Sequence, residues 1–176
     1  MSVDNQPISQ AEQDLFYYSL GGHILEITVL DLAGNRAQTG VEFMISADFN
    51  STIADINRSY SLGWIKNEKV KNWLNGELNE IKKYEEKFGE RQKKLDENQE
   101  RIMNQCLKKK NQIWCEKRLK NYNKIVYKLN QIHKKIILKR FQEILKQLEI
   151  YYKKQWLNKS AYDMIKADIN YLISNL

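Results

Sequence analysis

Two cysteines, two histidines, one turn aspartate and a dense run of lysines are the side chains here that could do chemistry. Cys106 and Cys115 are nine residues apart. On one continuous helix they would sit about 13.5 Å apart on opposite faces, at ~1.5 Å per residue. A disulfide tolerates Cα atoms no more than roughly 7 Å apart. If the chain instead reverses at "KKKNQ", residues 108–112, the two thiols meet almost symmetrically about the turn. His23 opens a strand-like run and His133 lies among lysines. Neither has the clustered cysteines or carboxylates of a zinc site, so each reads as structural or surface. No glycine-rich phosphate loop and no nucleophile motif occurs. The expectation is therefore no catalysis, no cofactor and no metal. Asp31, in "DLAGN" with Gly34 and Asn35, could touch a cation, but capping its own turn is the stronger reading.

The basic side chains begin with Lys108, Lys109 and Lys110, continue through Lys117, Arg118, Lys120 and Lys124, and run on to Arg140. Such a face can hold phosphate backbones by counterion release. Yet the lysines are interleaved with Asn and Gln, and Lys outnumbers Arg, the residue that reads bases through its fork. A solvated face is the leading reading, an anionic cell-surface polymer or membrane surface comes second, and nucleic acid is the weakest. Charge is also unevenly spread. Residues 1–50 carry one basic and seven acidic side chains, net −6, so the remaining 126 carry +13 of the overall +7. Two units with different surfaces follow from that split. No apolar run reaches ~18 residues, so no membrane span is expected. "MSVDNQPISQ" is polar and does not read as a signal peptide.

The elements that must position these residues come in two kinds. In "HILEITVLD", Leu25, Ile27 and Val29 alternate with Glu26 and Thr28, the period of a half-buried strand. "VEFMI" repeats it with Val41, Phe43 and Ile45, and "DLAGN" between them makes a hairpin. An isolated hairpin is marginal in water, so it needs further sheet or a helix. Beyond residue 50 the pattern is helical. Asn50 and Ser51 are cap candidates before Ile53, Ile56 and Tyr60, Gly63 is a stop, and Asn67 caps a helix carrying Val70, Trp73, Leu74 and Leu78. Ile81, Phe88, Leu95 and Ile102 then recur every seven residues as a thin stripe, which suits a projecting two-helix arm. A broader stripe, from Tyr122 through Ile125, Leu129, Ile132 and Ile136 to Leu148 and Tyr152, reads as core-facing. Ser160 and Asp163 resemble a capping box ahead of Tyr162, Ile165, Ile169 and Leu172.

The arm predicts a register. Antiparallel packing about "KKKNQ" sets residue i opposite roughly 221 − i, which brings Ile102 to Leu119, Leu95 to Val126, and Phe88 to Ile132 and His133. Cys106 falls opposite Cys115 in the same register. That coincidence favours a paired hairpin over one long rod with two free thiols. A pair would imply an oxidising compartment.

"DLFYYSLGGHILEITVLDLAGNRAQTGVEFMI" resembles the last strands of bacterial immunoglobulin-like repeats, with His23, Leu25, Asp31, Ala33, Gly34 and Asn35 at the positions of their H-x-L and D-x-A-G-N pattern. Roughly seven strands make that sandwich, and only about the final three are present. "IADINRSYSLGWIKNEKVKNWLNGELNEI" and "FQEILKQLEIYYKKQWLNKSAYDMIKADINYLI" resemble the start and end of the helical module called FIMAH, found at the C-terminus of bacterial secreted and surface proteins. Gly63, Ile65 and Asn67, and Ala161, Ile165, Asp168 and Leu172, carry that likeness. Residues 83–135 lie outside it.

The expected fold is mostly α: an antiparallel helical bundle with a projecting hairpin at about residues 80–133, preceded by a small antiparallel β piece, a partial immunoglobulin-like sandwich. The expected division is 1–48 and 49–176. The resemblances imply a non-catalytic accessory or structural part of a bacterial secreted or cell-surface protein, with upstream domains of the same polypeptide as partners. The alternative is a cytosolic basic helical protein that binds nucleic acid.

Overall fold

A computed structural model describes residues 1–8, 14–109 and 112–176. The fold is mostly helical with a small antiparallel sheet at the N-terminal end. Strands β1 (Ser2–Val3), β2 (Gln6–Pro7), β3 (Gly21–Leu30) and β4 (Arg36–Ile45) form a sheet of order β2-β1-β3-β4. β3 and β4 pair in register from Gly21 opposite Ile45 to Leu30 opposite Arg36. Asp31 builds the turn between them. Its Oδ1 accepts the Ala33 and Asn35 amides at 2.9 and 2.8 Å, and Asn35 Nδ2 donates to its Oδ2 at 2.7 Å. Gly34 takes φ +87°, a conformation that favours residues without Cβ.

Four helices follow: α1 (Phe49–Ser61), α2 (Glu68–Lys109), α3 (Gln112–Lys153) and α4 (Lys159–Ser174). Asp48, rather than Asn50 or Ser51, caps α1. Its carboxylate accepts the Ser51 amide while the Ser51 hydroxyl accepts the Asp48 amide, a reciprocal capping box. Asn158 caps α4 by accepting the Ala161 amide at 2.9 Å, so Ser160 is not the cap. In both helices the cap lies two or three residues upstream of the expected one and satisfies an earlier orphan amide. The capping residue is decided by where the preceding turn ends.

The α1–α2 and α3–α4 turns are built alike. Gly63 and Gln155 both enter the left-handed region, φ 72° and 58°. The Trp64 amide donates to the Ser59 carbonyl at 2.9 Å, and the Trp156 amide to the Tyr151 carbonyl at 3.0 Å. The turns then lock onto each other. Ile65 bridges Leu157, Lys66 N donates to the Trp156 carbonyl, and Asn158 N donates to the Trp64 carbonyl. Two similar helical hairpins thus pack face to face. Their shared core includes Ile56, Leu74, Leu78, Ile144, Leu148 and Ile165, all fully buried.

The buried core of the bundle takes in α2 as far as Ile81, with Tyr84 packed against it, and α3 from Ile137 onward. At ~1.5 Å per residue each 42-residue helix is about 63 Å long, so their remaining lengths form a two-helix arm. His133 stacks on Phe88 with ring centroids 3.5 Å apart, and the Tyr122 hydroxyl donates to the Leu95 carbonyl. The hairpin expected from the seven-residue stripe is present in essentially the predicted register.

Two packing expectations are corrected. Ile125, Leu129, Ile132 and Ile136 do not face the core; they are exposed, and Ile137 is the buried residue. The seam of α3 is narrower than its apolar content, because four of its branched residues lie on a second face. In the sheet, Val29 and Val41 are 60% and 53% exposed. The alternation is real, but no second layer covers that end of the face among the described residues.

Candidate functional site

The cysteines come together as the spacing allowed. Cys106, near the end of α2, and Cys115, early in α3, form a disulfide with Cα atoms 5.4 Å apart. It clamps the arm next to the chain reversal, part of which, residues 110–111, lies outside the described residues.

The basic residues do not converge on a point. Lys108, Lys117, Arg118, Lys120 and Lys124 are all exposed. Lys109 ends α2, and Lys110 is outside the described residues. At ~100° per residue, Lys117, Lys120 and Lys124 share one side of α3, while Arg118 turns away, its guanidinium 5.1 Å from the centre of the Trp114 ring. Among the described residues, the ion pairs that involve lysine are Lys71–Glu68, Lys83–Glu80 and Lys153–Glu149. None belongs to this stretch. Glu116 and Glu143 bracket a span of α3 with no acidic residue, so Lys117 and Lys124 have no carboxylate three or four residues away on their own helix.

Asp31, Gly34 and Asn35 sit together in the β3–β4 turn, and the Asp31 carboxylate is fully engaged there. The Asn35 side chain and nearby amides hold its pKa below the usual carboxylate value. Turn capping accounts for every contact it makes.

The histidines are structural. His23 is buried, its Nδ1 2.5 Å from Asp4 Oδ2 and its Nε2 2.7 Å from the Ser19 carbonyl. Both partners are acceptors, so the ring satisfies both only as an imidazolium. The Asp4 hydrogen bond raises its pKa accordingly. His133 is buried between α2 and α3, with Nε2 3.1 Å from Glu85.

One constellation was not anticipated. Between sheet and bundle lies a cavity of about 380 Å³ lined by Asp14, Asp55, Arg58 and Asp168, among others. Asp14 and Arg58 close an ion pair, and Arg58 also lies 4.2 Å above the Phe16 ring, which stacks on Trp64. These contacts fasten the segment before β3 onto the end of α1. Asp168 is 3% exposed on α4 between Ile165 and Ile169, and its Oδ2 has no hydrogen-bond partner. Burial, with the Asp55 carboxylate adding to it, pushes its pKa up to about 7. A carboxyl there exchanges a proton near neutrality, but its charged neighbours are a like-charged Asp55 and an Arg58 already committed to Asp14. The sequence does hold a signal, an aspartate on an otherwise apolar helical face. The groups around it come from residues more than a hundred positions away and carry no shared motif.

Among the described residues, no group of three or more His, Cys, Asp or Glu side chains could hold a metal ion, and no helix is long and apolar enough to cross a membrane. Compared with family models, curated proteins and solved structures, the chain matches none.

Proposed function

We propose that this chain is a non-catalytic accessory or structural module of a bacterial secreted or cell-surface protein, acting as spacer, stalk or attachment element. The observation that carries the reading is the disulfide between Cys106 and Cys115 at the end of the arm. Paired cysteines persist in oxidising compartments and are rare in reducing ones. A bundle locked through its two turns, with a clamped arm, has the rigidity a spacer needs. The sheet adds support. Val29 and Val41 remain exposed on its apolar face, as expected of the closing strands of an immunoglobulin-like sandwich whose other strands lie upstream in the same polypeptide. The likeness of residues 3–46 to such repeats, and of the bundle's two ends to the FIMAH module, points the same way.

The unpaired lysines of α3 favour a second reading, a cytosolic basic helical protein that binds nucleic acid. Thiol state separates the two. Acid-trapped alkylation of the protein in its native cells should leave Cys106 and Cys115 unmodified. Quantitative alkylation of both, together with sub-micromolar DNA or RNA binding at physiological salt, would shift the assignment to the second reading.

A further inference from the structure

We propose that one face of α3 docks flat on an anionic lipid surface. The face has two parallel rows. Ile125, Leu129, Ile132 and Ile136 are spaced 4, 3 and 4 residues apart, which puts them on one side of the helix. They are 56%, 39%, 56% and 37% exposed. At ~100° per residue this row lies about a quarter turn from the seam that α3 offers to α2, which Leu119, Tyr122, Val126 and His133 define. It is therefore not leftover surface of the hairpin contact. Beside it run Lys117, Lys124, Lys128, Lys135 and Lys139, spaced 7, 4, 7 and 4 apart and all exposed. Helical rotation places them within about 60° of one another, next to the isoleucines. No acidic residue lies between Glu116 and Glu143.

Charge and apolar surface together select the occupant. A second copy seated through the same face would set lysine row against lysine row, because that span of α3 holds no acidic residue. A soluble polyanion or a nucleic acid would neutralise the lysines but leave the four branched side chains in water. An anionic bilayer satisfies both rows. Apolar side chains enter the boundary between headgroups and acyl chains, and lysines reach phosphates with their stems lying along the interface. Trp114, partly exposed at the arm's end of the same face, belongs to the residue type that favours the headgroup level. The Lys117–Lys139 row is about 33 Å long at ~1.5 Å per residue. Packing against α2 and the Cys106–Cys115 disulfide hold it as an ordered helix before contact, so docking does not require the helix to form on the membrane, unlike that of a disordered amphipathic segment.

The test is co-sedimentation of the full chain with vesicles of equal parts phosphatidylglycerol and phosphatidylcholine, against pure phosphatidylcholine, at physiological ionic strength. Binding to the first and not the second is expected. Two variants, each checked for retained helicity, separate the rows. Lys124→Glu/Lys128→Glu/Lys135→Glu should weaken vesicle binding at least tenfold. Ile125→Gln/Ile132→Gln, at two exposed positions, should weaken it about as much while leaving polyphosphate binding unchanged. Failure to bind phosphatidylglycerol vesicles would overturn the proposal. So would vesicle binding that ignores the isoleucine changes, which would mark a soluble polyanion or nucleic acid as the ligand. A wild-type dimer that the isoleucine variant dissolves would overturn it too, assigning the face to a second copy.

Discussion

Replacing Asp168 by Asn should make the protein more stable at neutral and alkaline pH and leave it nearly unchanged below about pH 4. Asp168 is nearly sealed from solvent and one of its oxygens has no hydrogen-bond partner. Burial, with help from Asp55, lifts its pKa from the ordinary 3.8 to about 7. The sign follows from linkage: a carboxyl with a raised folded-state pKa is more protonated when folded than when unfolded. Stability is therefore greatest in mild acid, falls as pH rises from about 4 to about 7, and stays flat above. Three pH units at 1.36 kcal/mol each set an upper limit of about 4 kcal/mol. Water entering the adjoining cavity lowers the realised penalty to roughly 2–3 kcal/mol, because effective dielectrics near such sites exceed those of dry protein. Asn matches the protonated form in shape and in carrying no charge, with one more donor hydrogen, so its difference from wild type reports chiefly the ionisation. Urea unfolding at a series of pH values is the assay. The variant should match wild type near pH 3, below the unfolded-state pKa, and exceed it by about 2–3 kcal/mol near pH 8. His23, whose pKa is also raised, contributes stability that is lost as pH rises through its folded-state pKa, but it does so in both proteins and cancels. Equal pH slopes in the two proteins, or a variant weaker than wild type near pH 8, would refute the claim that Asp168 is a buried, destabilising charge.

Three further expectations are open to direct measurement. Cys106→Ser/Cys115→Ser should lower stability by about 2–3 kcal/mol on the loop-entropy model for so short a loop, with faster hydrogen exchange confined to the arm's end; accelerated exchange around Leu74 and Leu148 would contradict a local role. Residues 50–176 should melt cooperatively by circular dichroism, whereas residues 1–48 should not, because their sheet leaves one face open; a cooperative melt of the β piece alone would sink that idea. Gln155→Gly should raise stability by up to about 1 kcal/mol, since Gln155 holds φ 58° where a Cβ is strained; a loss would mean that the Gln155 side chain makes a stabilising contact.

Much of the architecture was legible because it is local or periodic. The Asp31 turn, the stop at Gly63 and the Asn67 cap each follow from one or two residues. The arm's register was legible for another reason: a repeat of seven and a cysteine pair impose the same antiparallel sum, and Phe88 meeting His133 satisfies it. What could not be read depends on partners distant in sequence. Apolar periodicity shows that Ile125, Ile132 and Ile136 share a helix side but not whether that side is covered. Strand alternation likewise does not say whether anything covers Val29 and Val41, which are exposed. The junction of Asp14, Arg58, Asp55 and Asp168 joins a pre-strand segment to the first and last helices, and no spacing rule connects those. The matching turn at Gln155 is not legible, because Gln is not a residue expected in the left-handed region.

The proposed surface location is tested most directly by shaving intact native cells with protease and analysing the released peptides without reduction. Release of this chain's peptides, with those containing Cys106 and Cys115 still linked, is the predicted result. Recovery of its peptides only after lysis, with both cysteines as free thiols, would contradict it.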